Sequence, residues 1–322
     1  MTDGKNADLK YKLIACDFDG TLLRGDNTIS DYTRAVIAEY IKRGGVFMPA
    51  TGRMHTSIKR RMADIGLYEN TPIASYQGAM IRENLTDKAL YYKPIANALA
   101  LEIALEAERL GLYVQAYDYD ELVISALYDG KADGGSMGKA EGGDKSGADG
   151  KAGGGLDEKP VGSLYGTALR LDGSFGRQYA ERLGIGMRVF PRRISEYICE
   201  KKIDCVKLLG VCKPDDMPKY LKHFADKFPA VICNVSEPYM LEIIAQGTGK
   251  DVACDVICGR MGIGIDACMA FGDSMNDYTM IAHAGLGVAM SNGREAVKDA
   301  AKYVTGSNDG DGVAKAIERF CL

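Results

Sequence analysis

The chain has 322 residues, more than one ordinary hydrophobic core holds, so its length predicts about two domains, one of which could be inserted in the other. Hydrophobic residues make up 46% and charged residues 26%, a balance that excludes a chain disordered throughout. The formal net charge of −4, without a dense block of lysine and arginine, argues against nucleic acid or an anionic membrane as the main partner and favours a small molecule.

Short apolar runs alternate with helix-length amphipathic segments at both ends of the chain. Strands are predicted at Leu13–Cys16, Val46–Ala50, Pro72–Ser75, Ala267–Phe271, Gly287–Ala289 and Tyr303–Thr305. Helices are predicted at Ser30–Arg43, His55–Ile65, Lys250–Met261, Asn276–Ala284 and Arg294–Ala300, with Ser30 as a possible cap. This alternation indicates an α/β fold, a doubly wound and mostly parallel sheet that binds ligands at the carboxyl ends of its strands.

The pattern changes between about residues 84 and 245, where longer helices and separate strands are predicted, among them Ile95–Leu110, Tyr113–Tyr117 and Leu122–Ile124. We therefore expect a core domain built from residues 1–83 and 246–322, with residues 84–245 inserted as a second α/β domain. Within the insert, residues 129–160 consist mainly of Gly, Ala, Lys and Asp. We interpret this stretch as a flexible loop insertion, with a mobile flap over a site as the functional alternative.

Nine cysteines occur without a CxxC pair and mostly inside apolar runs, a pattern typical of buried free thiols rather than of disulfides or a zinc site. The first residues contain no apolar signal-peptide segment, and no run of 18 apolar residues follows. We therefore expect a cytoplasmic protein with no membrane span, either a monomer or a small homo-oligomer.

Polar residues that could take part in catalysis or binding lie at the ends of three strands and at the start of one helix. They are Asp17 and Asp19 after the first strand, Thr51, Gly52 and Arg53 after the second, Lys250 at the start of a late helix, and Asp273, Asn276 and Asp277 after the strand Ala267–Phe271. In a parallel sheet all of them converge on one edge. Carboxylates brought together repel one another unless a cation lies among them, and oxygen ligands without histidine or thiolate favour Mg²⁺. A magnesium ion implies a phosphate partner.

The stretches "DFDGTLL" (17–23), "TGR" (51–53), Lys250 and "GDSMND" (272–277) resemble the four ordered motifs of the haloacid dehalogenase (HAD) superfamily. More narrowly, the chain resembles the Cof-type sugar-phosphate phosphatases, also in "LEIIAQGTGKDVA" before the late helix and "GVAMSNGREAVKDAA" near the end. The resemblance implies a HAD-like core whose inserted α/β domain is a large cap that closes over the active site.

The resemblance also implies roles for the first, second and third motifs. Asp17 is expected to attack phosphorus and form an aspartyl-phosphate, and Asp19 to protonate the leaving alkoxide and later activate water. Thr51 and Gly52 with Lys250 are expected to bind the phosphoryl oxygens and stabilise their charge in the transition state.

The same resemblance implies a Mg²⁺ site formed by the side chains of Asp17 and Asp273 and the backbone carbonyl of Asp19. Asn276 and Asp277 are expected to support the metal shell or Lys250 from further out. Arg53 and Asn292 are candidate substrate or phosphate contacts.

Each of these assignments has a structural alternative. Ser274 and Asp277 also fit a helix capping box, which could coexist with a role at the site. Lys250 could be an exposed residue in a first helical turn, although the helix dipole makes this a poor place for a cation. A surface arginine and an N-cap asparagine explain Arg53 and Asn292 as well as substrate contacts do.

Three residues depart from the family pattern. Gln77 stands where relatives often have asparagine at the entrance to the cap, and Ala245 and Gly249 stand where proline and serine are common. These differences leave the chemistry intact and concern the hinge and the substrate contacts.

Together these features predict a Mg²⁺-dependent phosphatase, a phosphoric monoester hydrolase acting on small phosphorylated metabolites, sugar phosphates above all. One alternative is a phosphomutase or phosphotransferase that passes the phosphoryl group to another sugar. A further alternative from a different class is a non-catalytic sensor of phosphorylated metabolites.

Overall fold

The structure is a computed structural model that describes residues 9–69, 71–126, 161–164, 167–169 and 175–322. The insertion predicted to be flexible, residues 129–160, lies outside the described residues.

Strands of the described chain are β1 Leu13–Cys16, β2 Val46–Pro49, β3 Pro72–Ser75, β4 Met80–Glu83, β5 Ala89–Tyr92, β6 Tyr113–Asp118, β7 Glu121–Ser125, β8 Val161–Leu164, β9 Thr167–Leu169, β10 Met187–Phe190, β11 Lys207–Val211, β12 Val231–Glu237, β13 Met240–Ala245, β14 Cys268–Gly272, β15 Leu286–Ala289 and β16 Tyr303–Val304. Its helices are α1 Asp31–Lys42, α2 His55–Asp64, α3 Asn97–Arg109, α4 Phe175–Leu183, α5 Ile194–Lys201, α6 Met217–Lys227, α7 Lys250–Met261, α8 Tyr278–His283, α9 Glu295–Ala300 and α10 Gly312–Cys321.

The first sheet is parallel, with strand order β16-β15-β14-β1-β2, and a parallel bridge between Ala50 and Ala74 continues it towards β3. Every residue of β1 is buried, as expected for a strand covered on both faces. Its side chains alternate between two apolar clusters: Ile14 and Cys16 pack with residues of α1 and α10, and Leu13 and Ala15 pack with residues of α7. The predicted doubly wound α/β fold is confirmed.

The second sheet has the order β10-β7-β6-β11-β13-β12 and is antiparallel except for the β10–β7 pair. On one face, Leu208 and Ile243 pack in an apolar cluster with residues of α3, α5 and α6. On the other face, Leu209 and Met240 share a cluster with Tyr76 and Met80, which follow β3, and with residues of α4. This α/β unit is the cap that the sequence predicts, and the face with α4 also contacts the first unit.

Two smaller sheets complete the described fold, one formed by β3, β4 and β5 and the other by β8 and β9. Strand β5 begins at residue 89, beyond the boundary expected at residue 83, and pairs with β4. The division into residues 1–83 with 246–322 and residues 84–245 stays a prediction.

Three sequence-level expectations about local features can be compared directly with the fold. The Ser30 cap is confirmed, because its hydroxyl accepts a hydrogen bond from the N–H of Thr33 at the start of α1. All nine cysteines are free thiols, and five of them are buried: Cys16, Cys205, Cys254, Cys258 and Cys268. No helix in the described part of the chain is both long and apolar enough to cross a membrane.

Gly78, just after β3, lies against the start of α7. Its φ is +85°, and a Cβ there would lie 2.1 Å from the carbonyl oxygen of Gly249. We expect Gly78→Ala to lower the free energy of unfolding by about 2 kcal/mol or more, since overpacking against backbone adds to the strain of a positive φ. Gly111→Ala is the matched control, because Gly111 has a φ of +72° with nothing within 4 Å of a built Cβ. If urea unfolding shows that both variants lose the same free energy of unfolding, the contact of residue 78 with Gly249 does not contribute.

Candidate active site

Asp17 begins the loop that follows β1, and its N–H donates to the carbonyl oxygen of Phe271 on the neighbouring β14 at 3.0 Å. The loop turns sharply at Gly20, whose φ is +79°, and a Cβ there would lie 2.8 Å from Asp273 Oδ2. Thr21 donates its hydroxyl to Asp273 Oδ1 at 2.8 Å. The ends of β1 and β14 therefore present Asp17 and Asp273 in one place, as the parallel sheet predicts.

Lys250 is the first residue of α7 and is only 1% exposed, so the alternative of an exposed lysine is wrong. Its Nζ donates to Asp17 Oδ1 at 2.5 Å and to Asp277 Oδ1 at 2.6 Å. Burial alone lowers the pKa of Lys250, but the charges of Asp17 and Asp277 outweigh it and raise the pKa above its ordinary value. The ammonium is therefore a fixed positive charge between two carboxylates.

Asp277 has both of the roles that its sequence allows. Its Oδ2 accepts hydrogen bonds from the N–H groups of Ser274 at 3.0 Å and Asp273 at 3.1 Å, and it forms the capping box with Ser274. Its Oδ1 accepts the bond from Lys250. With 0% exposure and both oxygens engaged, Asp277 fixes the Asp273 loop and Lys250 at the same time.

Oxygen atoms of Asp17, Asp273 and Asp277 all lie within 4.8 Å of one another, the grouping expected of a divalent cation site. Among the described residues no hydrogen bond engages Oδ2 of Asp17 or of Asp273, whereas both oxygens of Asp277 are occupied. The donor set therefore fits the predicted Mg²⁺ ligands Asp17 and Asp273, with Asp277 in a supporting position. Asp19 contributes no carboxylate to this group.

Burial and the charge of Asp277 disfavour the charged forms of Asp17 and Asp273. Burial raises the pKa of Asp17 well above its ordinary value, and the charge of Asp277 adds to the effect. Burial and the charge of Asp277 raise the pKa of Asp273 to about 6, although the Thr21 hydrogen bond opposes the change. A cation bound between these carboxylates would relieve both effects.

Asp19 is bound by Arg53 instead of joining the acidic group. The guanidinium donates from Nε to Oδ2 at 2.7 Å and from Nη2 to Oδ1 at 2.5 Å. The Arg53 side chain is 10% exposed and lies over the Phe18 ring, so the surface-arginine alternative is wrong, while Asp19 is 41% exposed. Arg53 thus orients the carboxylate that was predicted to transfer protons.

The loop Thr51–Arg53 follows β2 and is held by backbone hydrogen bonds. Thr51 is 2% exposed, its N–H donates to Ala74 O at 2.9 Å, and its hydroxyl accepts from the N–H of Arg53 at 3.2 Å. A Cβ at Gly52 would lie 2.4 Å from Gln77 Nε2, so a larger residue there would displace the end of the Gln77 side chain.

Asn276 and Asn292 contact neighbouring loops rather than the acidic group. Asn276 donates to Gln77 Oε1 at 3.3 Å. Asn292 donates to Gly20 O at 2.8 Å and accepts from the N–H of Asn308 at 3.0 Å, which ties down the turn after Asp19. The N-cap alternative for Asn292 is wrong, because the N-cap of α9 is Arg294.

Two charged residues of the cap were missed by sequence reasoning. Lys207 of β11 and Glu242 of β13 form an ion pair at 3.0 Å, and Lys207 Nζ also donates to Gly52 O at 3.3 Å. The sequence feature that could have identified them is a single charged residue inside each of two apolar strands, "VKLL" and "LEII".

Comparison with known proteins identifies the same family that the sequence motifs resemble. A family model described as haloacid dehalogenase-like hydrolase matches residues 14–146 and 187–317. The 5-amino-6-(5-phospho-D-ribitylamino)uracil phosphatase YitU of Bacillus subtilis is 26% identical over 314 residues, 97% of this chain and 98% of the relative.

Two solved structures share this fold over 96% of the chain. A haloacid dehalogenase-like hydrolase from Bacteroides thetaiotaomicron superposes with a TM-score of 0.72 at 26% identity, covering 96% of this chain and 99% of its own. A sugar phosphatase of HAD subclass IIB shares the fold with a TM-score of 0.70 at 20% identity, covering 96% and 98%.

Proposed function

Since the chain belongs to the haloacid dehalogenase-like hydrolases and is a phosphatase, we propose that it hydrolyses small phosphorylated metabolites with Mg²⁺ through an aspartyl-phosphate. Sugar phosphates are the proposed substrates and the cytoplasm the proposed location. The observation that carries the mechanism is the buried contact of Lys250 with Asp17 and Asp277 beside Asp273. The substrate class is supported by YitU, whose name gives a phosphorylated ribityl compound as its substrate.

The first half of the proposed reaction transfers the phosphoryl group to the protein. A carboxylate oxygen of Asp17 attacks phosphorus, the ester P–O bond breaks, and Asp19 gives a proton to the departing alkoxide. Lys250 orients Asp17 through Oδ1, and Thr51 and Lys250 donate to the phosphoryl oxygens. When bound at Asp17 and Asp273, Mg²⁺ supplies positive charge that offsets the repulsion between carboxylate and phosphate.

The second half returns the protein to its starting state. Asp19 takes a proton from a water molecule, the water oxygen attacks the phosphorus of the aspartyl-phosphate, and inorganic phosphate leaves as Asp17 is restored. Arg53 binds both oxygens of Asp19 and so orients the carboxylate, and each oxygen keeps a second lone pair for the substrate or water. Arg53 therefore acts on the reaction through Asp19.

Hydrolysis of p-nitrophenyl phosphate with and without Mg²⁺ tests the proposal, followed by kcat/KM for a panel of phosphorylated metabolites. Turnover that depends on Mg²⁺ and is fastest with sugar phosphates is the expected result. Transfer to an added alcohol that outpaces hydrolysis would favour the phosphotransferase alternative, and a folded protein without turnover would favour the sensor.

Asp273→Asn should remove the response to Mg²⁺ without unfolding the protein. Because burial and Asp277 raise the pKa of Asp273, a neutral side chain there costs little in the metal-free protein. At a Mg²⁺ concentration of about 100 Kd, the wild type should gain about 2.7 kcal/mol of stability. The variant should gain almost none in thermal unfolding, whereas Asp255→Asn, an exposed acid on α7, should respond as the wild type does.

A further inference from the structure

The Lys207–Glu242 pair is buried inside the protein, although it belongs to the cap. Lys207 is 1% exposed and Glu242 is 4% exposed. Burial lowers the pKa of Lys207, but the charge of Glu242 outweighs it and raises the pKa above its ordinary value, so the ammonium stays charged. A buried ion pair adds little stability compared with apolar side chains of similar size, so its presence calls for another reason.

The pair lies on the face of the second sheet that packs against α4 and against Tyr76 and Met80 of the first unit. Leu209 pairs with Glu242 across β11 and β13, and Lys207 is two residues before Leu209, so the three side chains share that face. The ammonium also lies 4.5 Å from the centre of the Tyr117 ring. The two charges are thus directed at the first unit and away from solvent.

Each member of the pair contacts a loop of the proposed active site. Lys207 Nζ donates to the carbonyl oxygen of Gly52, between Thr51 and Arg53, at 3.3 Å. Glu242 Oε2 accepts a hydrogen bond from Gln77 Nε2 at 2.9 Å. The cap therefore touches the phosphate-binding loop with a charged group and the segment after β3 with another.

Gln77 extends these contacts to the loop that carries Asp273. Its Oε1 accepts from Asn276 Nδ2 at 3.3 Å, and its N–H donates to Thr51 O at 2.9 Å. Tyr76 and Gln77 have φ values of +52° and +56°, a left-handed conformation that is unusual for these residues. This strained segment connects Glu242 of the cap to the Thr51–Arg53 loop and to the loop that carries Asp273.

We infer that Lys207 and Glu242 are positioning residues that hold the Thr51–Arg53 loop and Asn276 in their reactive arrangement when the cap lies on the core. This inference rests on the proposed phosphatase site. Through Gly52, Lys207 fixes the backbone between Thr51, a proposed phosphate ligand, and Arg53, which orients Asp19. If the cap moves away, Gly52 O and the Gln77 amide lose these partners while the backbone hydrogen bonds of the loop remain, so both segments are less firmly held without the cap.

The double variant Lys207→Met/Glu242→Leu tests the inference, because it removes both charges without leaving one of them buried alone. The matched control is Arg188→Met/Glu121→Leu, which removes an exposed ion pair at 2.7 Å from the same sheet. We expect kcat for p-nitrophenyl phosphate to fall about tenfold or more in the first variant, with KM changing less, because misplaced loops weaken transition-state contacts. The control should retain the wild-type kcat.

Hydrogen–deuterium exchange supplies a readout that does not depend on turnover. Peptides covering residues 50–54 and 75–79 should exchange about tenfold faster in the Lys207/Glu242 variant, while a peptide over β1 exchanges as in the wild type. If that double variant fails to fold, Lys207→Gln/Glu242→Gln, which removes both charges and keeps polar side chains, should show the same local increase.

Wild-type kcat and wild-type exchange in a folded Lys207/Glu242 variant would overturn the inference, as would equal effects in the control. Faster exchange throughout the protein would also overturn it, since that pattern indicates general loss of stability. A wild type that hydrolyses no phosphate ester would reject the proposed function, and the exchange measurement would still decide whether the pair orders the loops.

Discussion

Asp17→Asn should abolish turnover while leaving the protein folded. The amide cannot attack phosphorus, so the proposed covalent step is lost, and we expect kcat to fall about 10⁴-fold or more. The folded state should tolerate the change, because burial and the charge of Asp277 already raise the pKa of Asp17 and disfavour its charged form.

Steady-state hydrolysis of p-nitrophenyl phosphate and urea unfolding measure the two effects separately. Asp31→Asn is a suitable control, because the side chain of Asp31 is 97% exposed and forms its ion pair with Arg34 on the same helix, α1. Turnover by Asp17→Asn within about tenfold of the wild type would reject Asp17 as the nucleophile, since one group would then supply only about 1.4 kcal/mol.

Lys250→Met should damage both stability and activity. The change leaves Asp17 and Asp277 buried without their shared positive charge, and losing one partner of a buried ion pair costs about 3–5 kcal/mol. It also removes a proposed phosphate ligand, so kcat should fall by about 10³-fold, the magnitude typical of a lost transition-state donor.

A second variant separates these two consequences. In Lys250→Met/Asp277→Asn one uncompensated charge is gone and the side-chain oxygen can still accept from the N–H groups of Asp273 and Ser274, so urea unfolding should show part of the stability restored while kcat stays about 10³-fold low. Lys222→Met controls for loss of a lysine, since that side chain is 79% exposed and paired only within α6. Recovery of turnover in the double variant would show that Lys250 acts on folding alone.

Much of the fold followed from local patterns. Strand β1 and helix α7 have the predicted bounds, because a continuous apolar run and the glycines at residues 249 and 262 mark them clearly. The helix expected at Asn276–Ala284 is instead a 3₁₀ turn at Met275–Asp277 followed by α8. Asp277 binds the N–H groups ahead of it, and this tightens the first turn.

The convergence of the motif residues also followed from the sequence, because parallel strands end at one edge of the sheet. The sequence did not predict which side chains would contact one another. Arg53 and Asp19 are 34 positions apart, and Gln77 and Glu242 are 165 apart, so no local pattern predicts which charge meets which. Such contacts depend on side-chain rotamers and on the position of the cap relative to the core. Neither leaves a periodic pattern in a single sequence.

The strand order of the first sheet has a consequence for how the protein is made. β1 lies between β2 and β14, and the hydrogen bond from Thr21 to Asp273 spans 252 positions. At about 5–20 residues per second, translation reaches Asp273 roughly 10–50 s after Thr21. During that interval the edge of β1 that β14 later covers has no partner, and Asp17 remains in water. Because β14 supplies both the missing neighbour of β1 and Asp273, the centre of the sheet and the acidic group form together, only after residue 273 has been synthesised.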